Sequence, residues 1–125
     1  MSQRSFRDQV VVVTGAAGGL GRSLCLRFAE AGARVAALDR DATGLQRLAD
    51  EMQAAGLAVH HQTCDVTDAA ACEAALRCVR AALGPVDVLV NNAGIAHRSA
   101  LAETRLDVIH RVMDVNFFGA VHCTQ

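Results

Sequence analysis

A chain of 125 residues has room for one small domain and not two. Hydrophobic residues make up 52% of it, which excludes a disordered or low-complexity segment. Twelve basic residues against thirteen acidic ones leave a net charge of -1, unlike the basic face of a nucleic-acid binder. All the basic residues are arginine, and lysine, tyrosine and tryptophan are absent. That excludes a P-loop lysine, a Schiff-base lysine and any step needing a tyrosine hydroxyl from this chain.

The N-terminal Met1-Ser2-Gln3-Arg4-Ser5-Phe6-Arg7-Asp8 lacks the apolar core of a signal peptide. No apolar run approaches the about 20 residues of a membrane helix. Cys25, Cys64, Cys72, Cys78 and Cys123 are odd in number and contain no Cys-x-x-Cys pair or zinc-ligand spacing. They read as small, buried or half-buried thiols in a reducing compartment, with no metal site. The expected location is cytoplasmic, with no membrane and no nucleic-acid partner.

Val10-Val11-Val12-Val13 is a β-branched run without polar alternation, the pattern of a strand covered on both faces. Gly15-Ala16-Ala17-Gly18-Gly19-Leu20-Gly21 follows, and Leu20, Leu24 and Phe28 continue at helical spacing towards a stop at Gly32. Residues 34–38 form a second buried strand closed by Asp39-Arg40. Leu45, Leu48 and Met52 mark a second helix ended by Gly56. Residues 58–63 make a weaker third strand. Thr67 or Asp68 caps a third helix, with Ala75, Leu76 and Val79 inward and Gly84-Pro85 as its end. Residues 86–90 form a fourth strand, 91–102 a loop, and Thr104 with Asp107 opens a last helix running to Gln125. Strand and helix alternate at spacings that suit parallel crossovers, so the expected fold is an open α/β layer.

A strand, a glycine turn and a helix in one βαβ unit is the setting that phosphate binding needs. Gly15 lets the chain leave the strand sharply. A residue without Cβ near the helix start lets the backbone approach a pyrophosphate, and Gly21 lets the helix pack closely on the sheet. The helix N-terminal amides then face the phosphates. Packing glycines in a tight turn would read the same way. Asp39, 24 residues after Gly15, adds a carboxylate at the end of the second strand. It can accept hydrogen bonds from both hydroxyls of an adenosine ribose, each worth about 1.5–3 kcal/mol when charge-assisted. A helix-capping role is the alternative. Asp39 favours NAD over NADP, because a 2′-phosphate beside it suffers a repulsion of about 4 kcal/mol at about 4 Å and an effective dielectric of about 20. Arg40 would offset part of that by pairing with the phosphate.

These residues resemble the short-chain dehydrogenases/reductases. Thr14-Gly15-x-x-x-Gly19-x-Gly21 is similar to the family's cofactor turn, Asp65-Val66 to its adenine-contacting segment, and Asn91-Asn92-Ala93-Gly94 to its Asn-Asn-Ala-Gly motif. Asn116 stands where the family carries an active-site asparagine. The same turn also reads Gly15-x-x-Gly18-x-x-Gly21, the pattern of the family's longer, sugar-nucleotide branch. The other motifs favour the shorter, single-domain branch. The resemblance implies a Rossmann-type doubly wound sheet in the order 3-2-1-4. It implies a dinucleotide held by Thr14, Gly15, Gly19, Leu20, Gly21, Asp39, Arg40, Asp65, Val66, Asn91, Ala93 and Gly94, with Asn116 as the catalytic residue present.

Read from the residues alone, Asp65 lies past a strand's carboxyl end, where it can meet an adenine amino group or cap a helix with Thr67. Asn116, in an otherwise apolar helical stretch, needs a buried partner or bonds only to nearby backbone. His97 is a solvated loop histidine or lies towards the nicotinamide. His60 and His61 point to opposite faces of a strand, which is poor metal geometry. Leu106, Ile109 and Met113 form a packing stripe or a subunit seam.

In the resembled family a serine and a Tyr-x-x-x-Lys pair lie beyond the asparagine. The tyrosine exchanges a proton with the substrate oxygen, and the lysine lowers its pKa. Neither tyrosine nor lysine occurs here. The expectation is therefore a domain over residues 1–125 that forms the N-terminal portion of an NAD(P)-binding Rossmann fold, with the catalytic and substrate portion beyond it. The parent would move a hydride between nicotinamide and an alcohol or carbonyl substrate as a homodimer or homotetramer, while the chain alone would be inactive. Two other readings stay open: a non-catalytic dinucleotide-binding module, and a methyltransferase of similar topology, which leaves Asn91-Asn92-Ala93-Gly94 unexplained.

Overall fold

A computed structural model describes residues 6–94 and 105–124. Strand β1, Val10–Thr14, is buried along its whole length, as an unalternating valine run demands of a central strand. Its neighbours are β2, Arg34–Asp39, and the three-residue β4, Val88–Val90; β3, Val59–Thr63, lies outside β2. All pairings are parallel and the order is β3-β2-β1-β4, as expected.

Alternation along β1 divides the core into two layers. Val11 and Val13 pack with helices α1, Gly19–Glu30, and α2, Ala42–Ala54, through Cys25, Leu45, Leu48 and Met52. Val10 and Val12 face helix α3, Ala69–Leu83, through Cys72, Ala75 and Val79. Helices on both faces make the sheet doubly wound. Asp41 and Asp68 cap α2 and α3, accepting from the Gly44 and Ala71 amides. Gly32, at φ +93°, follows α1, and Gly84, at φ +99°, ends α3.

Three elements differ from the sequence reading. Leu20 is 68% exposed, not part of the inner stripe of α1. The inward position is Gly21, where an added Cβ would collide with the Gly15 carbonyl oxygen. One residue earlier on a helix is a rotation of about 100°, so Leu20 turns outward. Strand β4 begins at Val88 rather than Val86. Asp87 makes the entry instead: its amide donates to the Val10 carbonyl at 2.9 Å, and its carboxylate accepts from the Val10 amide at 2.8 Å.

The last helical stretch is not one α-helix. Helix α4, Leu106–Met113, runs into a π-helical turn, Asp114–Phe118, and then into α5, Gly119–Thr124. Thr104 lies outside the described residues. The residue before α4 is Arg105, whose guanidinium pairs with Asp107 at 3.0 Å in place of a side-chain cap. Val115, Gly119 and Cys123 are the buried positions of this stretch. Gly119 allows the close approach, since a Cβ there would fall 2.6 Å from Val66 Cγ2.

Candidate functional site

The carboxyl ends of β1, β2 and β3 and the segment after β4 enclose a cleft of about 110 Å³ lined by Gly15, Asp39, Arg40, Cys64, Asp65, Val66, Ala93, Gly94 and Val115. This is where open α/β sheets take ligands, at the point where the strand order reverses.

Each wall follows from local chemistry. Gly15 sits at φ +63°, and a Cβ there would lie 2.9 Å from Ala93 Cα, so conformation and contact both require glycine. Gly21 brings α1 against the turn. Gly19 has open space around its missing Cβ, and no steric reason makes it glycine. Gly18 precedes α1 in an extended conformation and offers no side-chain cap, and no acidic residue stands in the first turn. Alone among the three helices packed on the sheet, α1 therefore keeps its first-turn amides without a carboxylate.

Asp39 holds the mouth of this turn. One carboxylate oxygen accepts from the Ala17 amide at 3.0 Å and the other from the Asp41 amide at 2.9 Å. Capping of α2 belongs to Asp41 and not to Asp39. Asp65 accepts from the Thr67 hydroxyl at 2.7 Å and amide at 3.0 Å, both at Oδ1. Those two bonds hold its carboxyl below the ordinary 3.8, with smaller help from the Arg40 and Arg111 charges. Asp68 takes the helix cap, so of the alternatives for Thr67 and Asp68 the carboxylate prevails.

Thr14 is buried behind the cleft and ties its two sides together. Its hydroxyl accepts from the Asn92 and Ala93 amides, each at 3.0 Å, and donates to the Val90 carbonyl at 3.4 Å. The Asn92 side chain donates to the Gly15 carbonyl at 3.2 Å. Asn91 turns the other way and donates to the Thr124 hydroxyl at 3.2 Å.

The structure thus brings together Gly15, Asp39, Arg40, Asp65, Val66, Ala93 and Gly94 around one cleft. Thr14 and Gly21 shape it from behind. Gly19 lies at the uncapped helix start. Leu20 and Asn91 do not line it. Asn116 borders a separate groove with Phe117, Ala120, Val121 and Thr124, but a Cβ on Gly94 would come within 3.3 Å of its Oδ1, so it stands beside the cleft's rim. His97 lies outside the described residues. Two residues escape the sequence reading, Cys64 and Val115, which line the cleft, and within the Asn91-Asn92 pair it is Asn92 and not the expected Asn91 that grips the glycine turn. Neighbourhood to Asp65 and Asn116 is the available signal for the first two.

His60 and His61 pair with Ala36 and Ala37, hence on opposite faces as expected. Among the described residues no group of three His, Cys, Asp or Glu side chains can hold a metal ion, and no helix is long and apolar enough to cross a membrane.

Comparison with known proteins gives a consistent picture. A family profile described as short chain dehydrogenase matches residues 9–125. Dehydrogenase/reductase SDR family member 7B of Bos taurus is 42% identical over 125 residues, covering 95% of this chain and 38% of that protein. D-threitol dehydrogenase of Mycolicibacterium smegmatis is 38% identical over 111 residues, covering 89% of this chain and 43% of that protein. Among solved structures, an actinorhodin polyketide ketoreductase with NADPH superposes at TM-score 0.90 with 36% identity, over 93% of this chain and 44% of that one. A short-chain type dehydrogenase/reductase from Mycobacterium marinum reaches TM-score 0.93 with 33% identity, over 97% and 49%. The chain spans 38% to 44% of the length of the curated relatives it matches.

Proposed function

The chain belongs to the short-chain dehydrogenase family, and from that premise we propose that it forms the dinucleotide-binding half of an oxidoreductase that moves a hydride between NAD(H) and an alcohol or carbonyl carbon. The observation that carries the reading is the uncapped N-terminus of α1 opening beside the Asp39 carboxylate at the lip of the cleft.

The residues fit the cofactor. The first-turn amides of α1 and the open space at Gly19 suit a pyrophosphate. Asp39, already fixed by two backbone amides, presents its carboxylate to ribose hydroxyls without reorganising. Asp65 and Val66 flank the adenine end, with the Asp65 carboxyl kept ionised as an acceptor for an amino group. Ala93 and Gly94 leave their backbone open to the ligand. The cofactor supplies the hydride chemistry when bound; the chain supplies position. Asn116, beside Gly94, is the polar group that would order the proton path near the nicotinamide end.

The proton itself needs a group that this sequence does not hold, since it has no tyrosine and no lysine. We place that group in the remainder of the parent protein, which we read as a homodimer or homotetramer. The chain by itself should show no NAD-dependent turnover. A non-catalytic dinucleotide-binding module is the second reading, favoured by the same missing residues. The two separate on whether the parent's sequence continues into a serine and a Tyr-x-x-x-Lys.

Preference for NAD over NADP is tested by titrating the full-length protein with NADH and NADPH and following nicotinamide fluorescence. Asp39 predicts tighter NADH binding, by about thirtyfold if half of a ~4 kcal/mol repulsion survives Arg40. Tighter NADPH binding would show that Arg40 dominates the site.

A further inference from the structure

Three cysteines that the proposed function leaves unused meet beneath the floor of the cleft. Cys64 follows β3, Cys72 lies in the first turn of α3, and Cys123 lies in α5. The Cys72 sulfur is 3.8 Å from that of Cys64 and 3.7 Å from that of Cys123, and all three are buried. Cys72 is the shared neighbour, and its sulfur also lies 3.8 Å and 3.7 Å from the carbonyl oxygens of Asp65 and Val66. Cys64 differs from the other two in lining the cleft. Cys64, 3% exposed, is thus the one of the three that a small neutral solute in the cleft can reach, and the Cys72 thiol is in contact with its sulfur.

We propose that Cys64 and Cys72 are an oxidisable pair whose reactant is hydrogen peroxide. The Cys64 thiolate attacks the peroxide O–O bond, takes one oxygen to become a sulfenic acid and releases the other as hydroxide, which recovers the thiol proton as water. The Cys72 sulfur then attacks the Cys64 sulfur. An S–S bond forms, the S–O bond breaks, and the oxygen leaves as a second water with the Cys72 proton. Two thiols lose two electrons and two protons, and one hydrogen peroxide is reduced to two waters. Cys123 is as near to Cys72 as Cys64 is, so the choice of partner rests on access, and of the two only Cys64 lines the cleft. Burial pushes the Cys64 thiol up to about 12, so little thiolate exists at neutral pH and the reaction quickens as pH rises. This proposal stands without the dinucleotide reading.

The test uses the full-length protein carrying Cys78→Ser, which removes the exposed thiol. It is treated with hydrogen peroxide at mildly alkaline pH, denatured in an alkylating agent, cleaved at arginine and weighed by mass spectrometry. Arg47 and Arg77 bracket both cysteines in one peptide. The expected peptide carries no alkyl group, is lighter by two hydrogens, and regains two alkylation sites after reduction. With Cys72→Ala in addition, a sulfenic-acid trap should label Cys64 and the two-hydrogen loss should vanish. A peptide that stays fully alkylatable in the folded protein, or a Cys72–Cys123 link in place of the Cys64–Cys72 link, would overturn the assignment. The first measurement needs no change to a buried residue, so misfolding cannot hide the answer.

Discussion

Thr14 shows how much of the site rests on one hydroxyl. It accepts two amides from the segment after β4 and is 1% exposed. Thr14→Val keeps the shape and leaves the Ala93 amide without this partner, while the Asn92 amide retains the Val90 carbonyl at 3.0 Å. The expected loss is about 1–3 kcal/mol, read from the midpoint of urea unfolding, and Thr14→Ser should recover most of it. An unchanged midpoint in the valine variant would mean that the two edges of the cleft are held by something else. The sequence marks Thr14 by motif, yet its partners stand 78 and 79 positions away, which no local pattern encodes. Gly15 is legible because its conformation and its contact with Ala93 both restrict the residue type. Asp39 is legible because strand, turn and acid occur at a fixed interval. The Asn91-Asn92 pair is not resolved by pattern: which of two adjacent amides turns inward depends on where β4 ends, and that strand is shorter than its apolar run. Leu20 enters the site by motif alone and lies on the surface.

Elements with a full hydrophobic period are readable from their residues. Helices α1, α2 and α3 begin and end within one to three residues of their glycine, proline and capping signals, because those residue types are required there physically. Strand β4 is overextended in the sequence reading because Asp87 interrupts an apolar run in which every other residue suits a strand. The carboxylate replaces a ladder bond there and pins β4 to β1 at its entry. Asp87→Ala should remove about 1–3 kcal/mol by leaving the Val10 amide unpaired in a buried strand. Hydrogen exchange localises the effect: the amides of Val88, Leu89 and Val90 should lose protection before those of β2. Uniform protection across the sheet would show that the clamp does not control the edge. The π-helical turn at Asp114–Phe118 is not readable, since no residue type marks the extra residue in the turn. Asn116 lies within it, beside Gly94.

Two properties belong to the molecule as a whole. The first is its response to alkali. Burial pushes the Cys25 thiol from 9.0 to about 12, and Cys64 and Cys123 move as far, chiefly by burial and then by the neighbouring Cys72. A thiol whose pKa is raised by folding contributes stability that is complete below the unfolded value and lost as pH climbs towards the folded one. Urea midpoints should therefore hold up to about pH 9 and fall steadily towards about pH 12, with a shallower fall in Cys25→Ala, and a flat profile would contradict the burial of these groups. The second property is self-association of the 125-residue chain when produced alone. Leu106, Met113 and Phe117 are 65%, 46% and 53% exposed and recur at helical spacing on the last helical stretch, with Phe118 at 43% beside them. Among the described residues nothing covers Leu106 and Met113, while Ile109 between them is half-buried, and we read the exposed part of this stripe as the seam. Strand β4 adds an edge of Val88, Leu89 and Val90 that no strand pairs with among the described residues. Apolar surface of this kind is removed from water most readily by a second copy, and a net charge of -1 offers little repulsion. Sedimentation velocity should show mass rising with concentration, and Met113→Glu with Phe117→Glu should return the chain towards a monomer by placing like charges across the contact. A monomer that persists in the unaltered chain as concentration rises would mean that this face is not the seam, which would have to be sought elsewhere.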